Sequence, residues 1–181
     1  RCAEVCEYSA IVLPGDQPLV LAELCHGCGS CTLECPTHAI SEVAHGIGVL
    51  EAGTTPGGMP FARGVLDVGQ PMATPAIRQL KRWVIPHVDD GGVVILDVPP
   101  GASCPVVEAL RGADFVLLVT EPTPFGLHDL RLAAEVTAQM GIPTGVVVNR
   151  DVIGDGGVDD FCAAAGLAVL LRIPFDRAIA E

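Results

Sequence analysis

The sequence predicts an α/β fold, a mostly parallel sheet preceded by a small cysteine-rich α+β module. Two observations carry this expectation. From residue 93 onward, short apolar runs alternate with segments of helical pattern, as expected for parallel strands covered on both faces. Before residue 45, six of the eight cysteines fall at metal-ligand spacings. The expected division is therefore a cysteine module over residues 1–45 and an α/β domain over residues 46–181. Hydrophobic residues make up 50% of the 181-residue chain, enough for a sizeable core, and 21 Gly with 15 Pro imply many defined turns.

The module centres on Cys25-His26-Gly27-Cys28-Gly29-Ser30-Cys31-Thr32-Leu33-Glu34-Cys35-Pro36. This reads C-x2-C-x2-C-x3-C-P, the bacterial ferredoxin-type run for a cubane iron–sulfur cluster. Thiolates three residues apart on a tight coil point to one side, and Gly27 and Gly29 let the backbone turn closely around the sulfur atoms. The rival is a zinc knuckle, since C-x2-C pairs also build tetrahedral sites. Three cysteines in strict succession, then a fourth backed by Pro36, suit a cluster better.

An internal repeat at an offset of 29 residues explains the start of the chain. Cys2-x3-Cys6-x3-Ala10-Ile11 matches Cys31-x3-Cys35-x3-Ala39-Ile40, with Glu7 where Pro36 stands in the second copy. Counterparts of Cys25 and Cys28 would fall upstream of Arg1, so the sequence is expected to begin inside the first half of a two-cluster module. The fourth cysteine of each run ligates the other cluster. Cys25, Cys28, Cys31 and Cys6 then complete one 4Fe-4S cluster, while Cys2 and Cys35 form half of a second site. Ala10, Ile11, Ala39 and Ile40 are expected to pack against the clusters and limit water access. His26, His38 and His45 have bland exposed or supporting roles, because the cysteines already suffice.

Along the chain, residues 10–13 and 18–21 read as a small hairpin joining the two cysteine halves. Residues 46–72 read as a second hairpin with its tip at Thr54-Thr55-Pro56-Gly57-Gly58. Thr74-Pro75 opens a helix through Ile77, Leu80 and Val84, whose Arg78, Lys81 and Arg82 make a solvated face. Buried strands are expected at 93–96, 115–119, 144–148 and 167–171, with helices near 106–110, 127–140 and 159–165.

In such sheets ligands bind beyond the carboxyl ends of the strands. Asp97-Val98-Pro99-Pro100-Gly101 follows the first strand. An aspartate there can hold magnesium, and Gly101 permits close backbone approach to a phosphate. The plain alternative is a strand-end turn. Asn149-Arg150 ends the third strand, where an amide could read a base edge or simply make a turn. Thr120-Glu121-Pro122-Thr123 and Ile173-Pro174-Phe175-Asp176 end the other two. Cys104 reads as a helix-start thiol or an interface residue, and Cys162 as core packing.

Together these pieces resemble the MinD/ParA-like branch of P-loop ATPases, related to the nitrogenase iron protein, and within it the members with an inserted ferredoxin domain. The resemblance implies a P-loop NTPase-like, mostly parallel sheet carrying an inserted ferredoxin module. It implies that Asp97 is the Walker B aspartate near magnesium and Gly101 a γ-phosphate sensor. Asn149 would bind adenine, with Arg150 and Pro174 lining the base pocket, and Thr120 and Glu121 would lie at the nucleotide or dimer face. ATP, magnesium and two clusters would serve the whole protein, which would be a homodimer passing electrons to a redox partner protein. The family's Gly-Lys-Ser/Thr loop is absent here: Lys81, the one lysine, follows Leu80 on a helix. The chain is accordingly expected to be an internal fragment that does not hydrolyse ATP, and to end before any closing helix.

A formal net charge of −12 repels phosphate backbones, so nucleic acid is not an expected partner. No apolar run approaches the roughly 18 residues of a membrane span, and no signal-peptide pattern is present. Reduced cysteines point to a cytoplasmic setting. The leading expected function is ATP-dependent iron–sulfur electron transfer. The alternatives are an iron–sulfur carrier or scaffold and a passive ferredoxin-like carrier.

Overall fold

The computed structural model describes residues 1–89, 91–151, 154 and 157–180. Two compact units divide the chain, Arg1–Val93 and Val94–Glu181.

In the first unit, β1 (Ile11–Val12) and β2 (Leu19–Val20) form the expected small hairpin. A 3-10 turn, Ala22–Leu24, leads into the cysteine run, whose centre is the single helical turn α1 (Ser30–Leu33). The second hairpin pairs β3 (Gly48–Thr54) with β4 (Pro60–Leu66) over seven positions, with Glu51 directly opposite Arg63 and bonded to it at 2.7 Å. Its tip is a tight turn in which Gly58 N–H donates to Thr55 O at 2.9 Å. Against this hairpin lies α2 (Thr74–Val84), with Pro75 in its first turn. Its half-buried side carries Ala76, Ile77, Leu80 and Val84, the 3–4 spacing that puts an apolar stripe on one face. Arg78 and Arg82 are exposed, as expected, whereas Lys81 is half-buried.

Buried apolar side chains are scarce in this unit. Among the described residues only Ala10, 2% exposed, and Ile11, 8% exposed, qualify. The expected burial of Ala10 and Ile11 is therefore found, whereas Ala39 is exposed and Ile40 half-buried.

The second unit contains a parallel sheet of three strands in the order β5 (Val116–Thr120), β6 (Thr144–Asn149), β7 (Ala168–Ile173). The helices are α3 (Cys104–Leu110), α4 (Pro124–Met140), α5 (Gly157–Ala165) and a final turn α6 (Arg177–Ala180). The centre strand β6 is buried on both faces, which explains its unbroken Val146-Val147-Val148 run. Leu130 of α4 and Val158 and Cys162 of α5 pack with Val146 and Val148, and a second cluster joins Val106 and Leu110 of α3 to Val116. Cys162 is thus core packing, as expected.

One expected strand is corrected. Residues 93–96 pair with no strand among the described residues, although their exposure alternates: Val93 and Ile95 are each 87% exposed, Val94 and Leu96 about half that. A short continuous apolar run is consistent with a buried strand but does not specify one. A ladder also needs a neighbour's N–H and C=O groups in register, and the only neighbour of β5 in the sheet is β6.

The tract after β5 has a structural purpose. Thr120 is buried and its hydroxyl donates to Gly126 O at 2.9 Å, while Thr123 caps α4 by accepting from Gly126 N–H at 3.1 Å. A Cβ on Gly126 would lie 2.2 Å from Glu121 O, so only glycine lets the turn close. Gly126→Ala is expected to destabilise the second unit by about 1–3 kcal/mol. Thr123→Ala should cost about 1 kcal/mol, the usual loss for an N-cap. Urea denaturation followed by circular dichroism measures both.

Candidate metal centre

The cysteine run turns as its glycines require. Gly27 (φ +61°) and Gly29 (φ +78°) occupy the left-handed region, so the chain reverses between Cys25, Cys28 and Cys31 within two short steps. Gly29 is also the residue from which α1 starts, which places Cys31 on the helical turn and Cys28 just before it. Cys35 follows the turn and accepts from Ala39 N–H at 3.3 Å.

The first half repeats this geometry. Cys6 accepts from Ala10 N–H at 3.2 Å. Ser9 (φ +52°) and His38 (φ +50°) both take the left-handed conformation, although neither is glycine. Each donates its N–H to the carbonyl of the cysteine three residues earlier, Ser9 to Cys6 at 3.1 Å and His38 to Cys35 at 3.2 Å. The same strained backbone at equivalent positions in both halves aims an amide at each fourth sulfur. The two halves meet through Tyr8, which stacks on His26 with ring centres 3.6 Å apart and planes 5° from parallel. At their edge the guanidinium of Arg1 stands 3.9 Å from Glu34.

All eight cysteines are free thiols; Cys25 and Cys28 are exposed, while Cys2, Cys6, Cys31 and Cys35 are partly buried. The Cys28 thiol is held below its ordinary value, first by the Ser30 hydroxyl 3.5 Å away and then by the Ser30 backbone. The Cys35 thiol is lowered as well, first by the Thr37 hydroxyl at 3.6 Å and then by Ala39 N–H. Both effects favour the thiolate, the form that binds metal. By contrast, burial raises the Cys162 thiol. Among the described residues no three His, Cys, Asp or Glu side chains gather closely enough to hold one metal ion. A cubane takes one thiolate on each iron, so its ligands need not converge on a point.

Two buried polar atoms in the run have no partner: His26 Nδ1 and Thr32 Oγ1. An unmet buried donor costs about 1–3 kcal/mol. Sulfur-rich clusters carry acceptors, so these orphaned atoms and the lowered thiols fit such a group. Sequence reasoning gave His26 a bland exposed or supporting role and missed Thr32, along with Tyr8, Ser30 and Thr37. The equal offset of Ser9 and His38 was the one signal that could have pointed to their shared conformation.

In the second unit, the strand ends gather some of the expected residues. Asn149 is the last residue of β6, opposite Ile173 of β7, and Pro174 follows that strand. Arg150 (φ +53°) reaches Glu121 at 3.4 Å and lies over the Phe175 ring at 5.9 Å. Asp97 is exposed and Gly101 half-buried (φ +96°). Among the described residues neither makes a hydrogen bond or ion pair with Asn149, Arg150 or Pro174. Cys104 is exposed at the start of α3.

These features define a ferredoxin-like iron–sulfur element, and the 4Fe-4S binding domain family matches residues 18–41. Over its wider length the chain is similar to two uncharacterized proteins of Methanocaldococcus jannaschii. It is 29% identical to MJ0579 over 177 residues, covering 98% of this chain and 60% of that protein. It is 32% identical to MJ0578 over 136 residues, covering 73% of this chain and 45% of that protein. The chain thus spans about half the length of these relatives. No solved structure matches it. Among the described residues, no helix is long and apolar enough to cross a membrane.

Removing the metal should loosen one unit only. Chelation of the loaded protein is expected to strip amide-exchange protection from residues 6–40 and leave β5, β6 and β7 unchanged. In the metal-free chain at neutral pH, iodoacetamide should label Cys28 and Cys35 before Cys162, read by peptide mass spectrometry.

Proposed function

We propose that the chain is the cluster-bearing part of an iron–sulfur electron-transfer protein whose ATP hydrolysis is coupled to redox. The observation that supports this most is the repeated geometry of Cys6 and Cys35, each with an amide on its sulfur. In this reading a cysteine module of residues 1–45 serves an ATPase-like remainder, residues 46–181. Cys25, Cys28, Cys31 and Cys6 hold one 4Fe-4S cluster, and Cys2 and Cys35 belong to a second. When bound, the cluster supplies a one-electron couple. Ala10 N–H lowers the negative charge felt at Cys6, and the buried Ala10 and Ile11 exclude water from that side.

The nucleotide half of the proposal rests on the strand ends. Asp97 would hold magnesium, Gly101 would approach the terminal phosphate, and Asn149, Arg150 and Pro174 would take the base in a homodimeric whole protein. Arg150 already stands over Phe175, an aromatic shelf of the kind that a planar ligand can share. Cluster carriage is the rival reading, but ligands drawn from two separate stretches hold a cluster too firmly for ready donation. The proposed site is in the cytoplasm, with a redox protein as partner.

Anaerobic loading with iron and sulfide tests the first half. A dithionite-reducible chromophore is expected, lost in Cys31→Ala and kept in Cys104→Ala. For the second half, ATP should shift the reduction potential of the whole protein, and Asp97→Asn should abolish the shift. A potential indifferent to nucleotide would overturn the coupling and leave the cluster intact.

A further inference from the structure

Thr32 occupies the helical turn between Cys31 and Cys35. Its side-chain oxygen is buried without a hydrogen-bond partner. A helical threonine ordinarily returns its hydroxyl to a carbonyl one turn back. Thr137 in α4 does so, donating to Ala134 O at 3.0 Å. Thr32 does not. The amides near it are also committed: Thr32 and Leu33 N–H both donate to Gly29 O, Glu34 N–H to Ser30 O, and Cys35 N–H to Thr32 O. None of these amides meets the hydroxyl, and its buried oxygen has no hydrogen-bond partner among the described residues.

We propose that the Thr32 hydroxyl donates its hydrogen bond to a sulfur of the bound cluster and raises the cluster's reduction potential. This rests on the cluster reading above. An electron added to the cluster makes its sulfur atoms better acceptors. A fixed donor then stabilises the reduced form more than the oxidised one. No covalent bond forms or breaks, and the electron comes from the reductant used. Thr32 is thus a positioning donor rather than a ligand, and its hydroxyl is the part that matters.

The test uses the whole 181-residue chain, loaded anaerobically with iron and sulfide, as wild type, Thr32→Val and Thr32→Ser. Valine keeps the shape and removes the donor; serine keeps the donor. At the wild-type midpoint, Thr32→Val is expected to lower the ratio of reduced to oxidised cluster by about threefold to tenfold. A tenfold change corresponds to about 59 mV for one electron. Thr32→Ser should stay close to wild type, and resonance Raman should show altered iron–sulfur stretching only in Thr32→Val. If Thr32→Val holds no cluster, Thr32→Ala is titrated in its place. Loss of the cluster from both, with retention in Thr32→Ser, would show that the hydroxyl is required and support the proposal. Full loading with an unchanged midpoint in Thr32→Val or Thr32→Ala overturns the role of Thr32 alone. A wild-type chain that takes up no cluster overturns the underlying reading as well.

Discussion

The first unit has almost no apolar interior, and the cysteine spacing of its 4Fe-4S binding element offers sulfur–metal bonds in place of one. Only Ala10 and Ile11 are buried hydrophobics among its described residues, and its longest regular elements are one hairpin and one amphipathic helix. Small units that cannot bury enough apolar surface use disulfides or metals as staples. Here the thiols are free, and four of them, Cys2 and Cys6 against Cys31 and Cys35, stand in the two matching halves. Cluster ligation would tie residues near the start of the chain to the run after residue 25. Metal binding would then contribute directly to folding, and its loss would be felt first in this unit.

The duplicated turn shows how local backbone chemistry serves that bond. Holding Ser9 and His38 in the left-handed region is unfavourable for residues with a Cβ. The return is an amide directed at the sulfur of Cys6 or Cys35. The second unit is stabilised differently, by the valines of β6 between α4, α5 and the flanking strands. Its conformational demands fall at the loop ends, where Gly126 permits a close turn and Arg150 adopts a positive φ beside Glu121 and Phe175. The second unit thus has an apolar core where the first has an array of free thiols.

Much of this was legible in the sequence for identifiable reasons. Cysteine spacing reports a ligand pattern directly, and the repeat of Cys2 and Cys6 in Cys31 and Cys35 extends it. The helix at Thr74 and the strands around Leu118, Val146 and Val169 were readable because apolar periodicity reflects burial. Residues 93–96 misled because a short apolar run is only consistent with a strand, whereas strand pairing belongs to two segments at once. The bulge between Val146 and Val147 against β7 was hidden for the same reason. Thr32 carries no sequence signal either: an orphaned polar atom is defined by what surrounds it. Arg150 and Phe175 could be named as neighbours of strand ends, but their approach over 5.9 Å depends on the turn at Arg150.

Native mass spectrometry of the anaerobically loaded chain tests the central claim most directly. The account predicts one added mass of about four irons and four sulfides per chain, lost together when Cys6 is replaced by alanine. An adduct of zinc alone, or an iron–sulfur adduct that survives in Cys6→Ala unchanged, would contradict the claim that the two halves share one cluster.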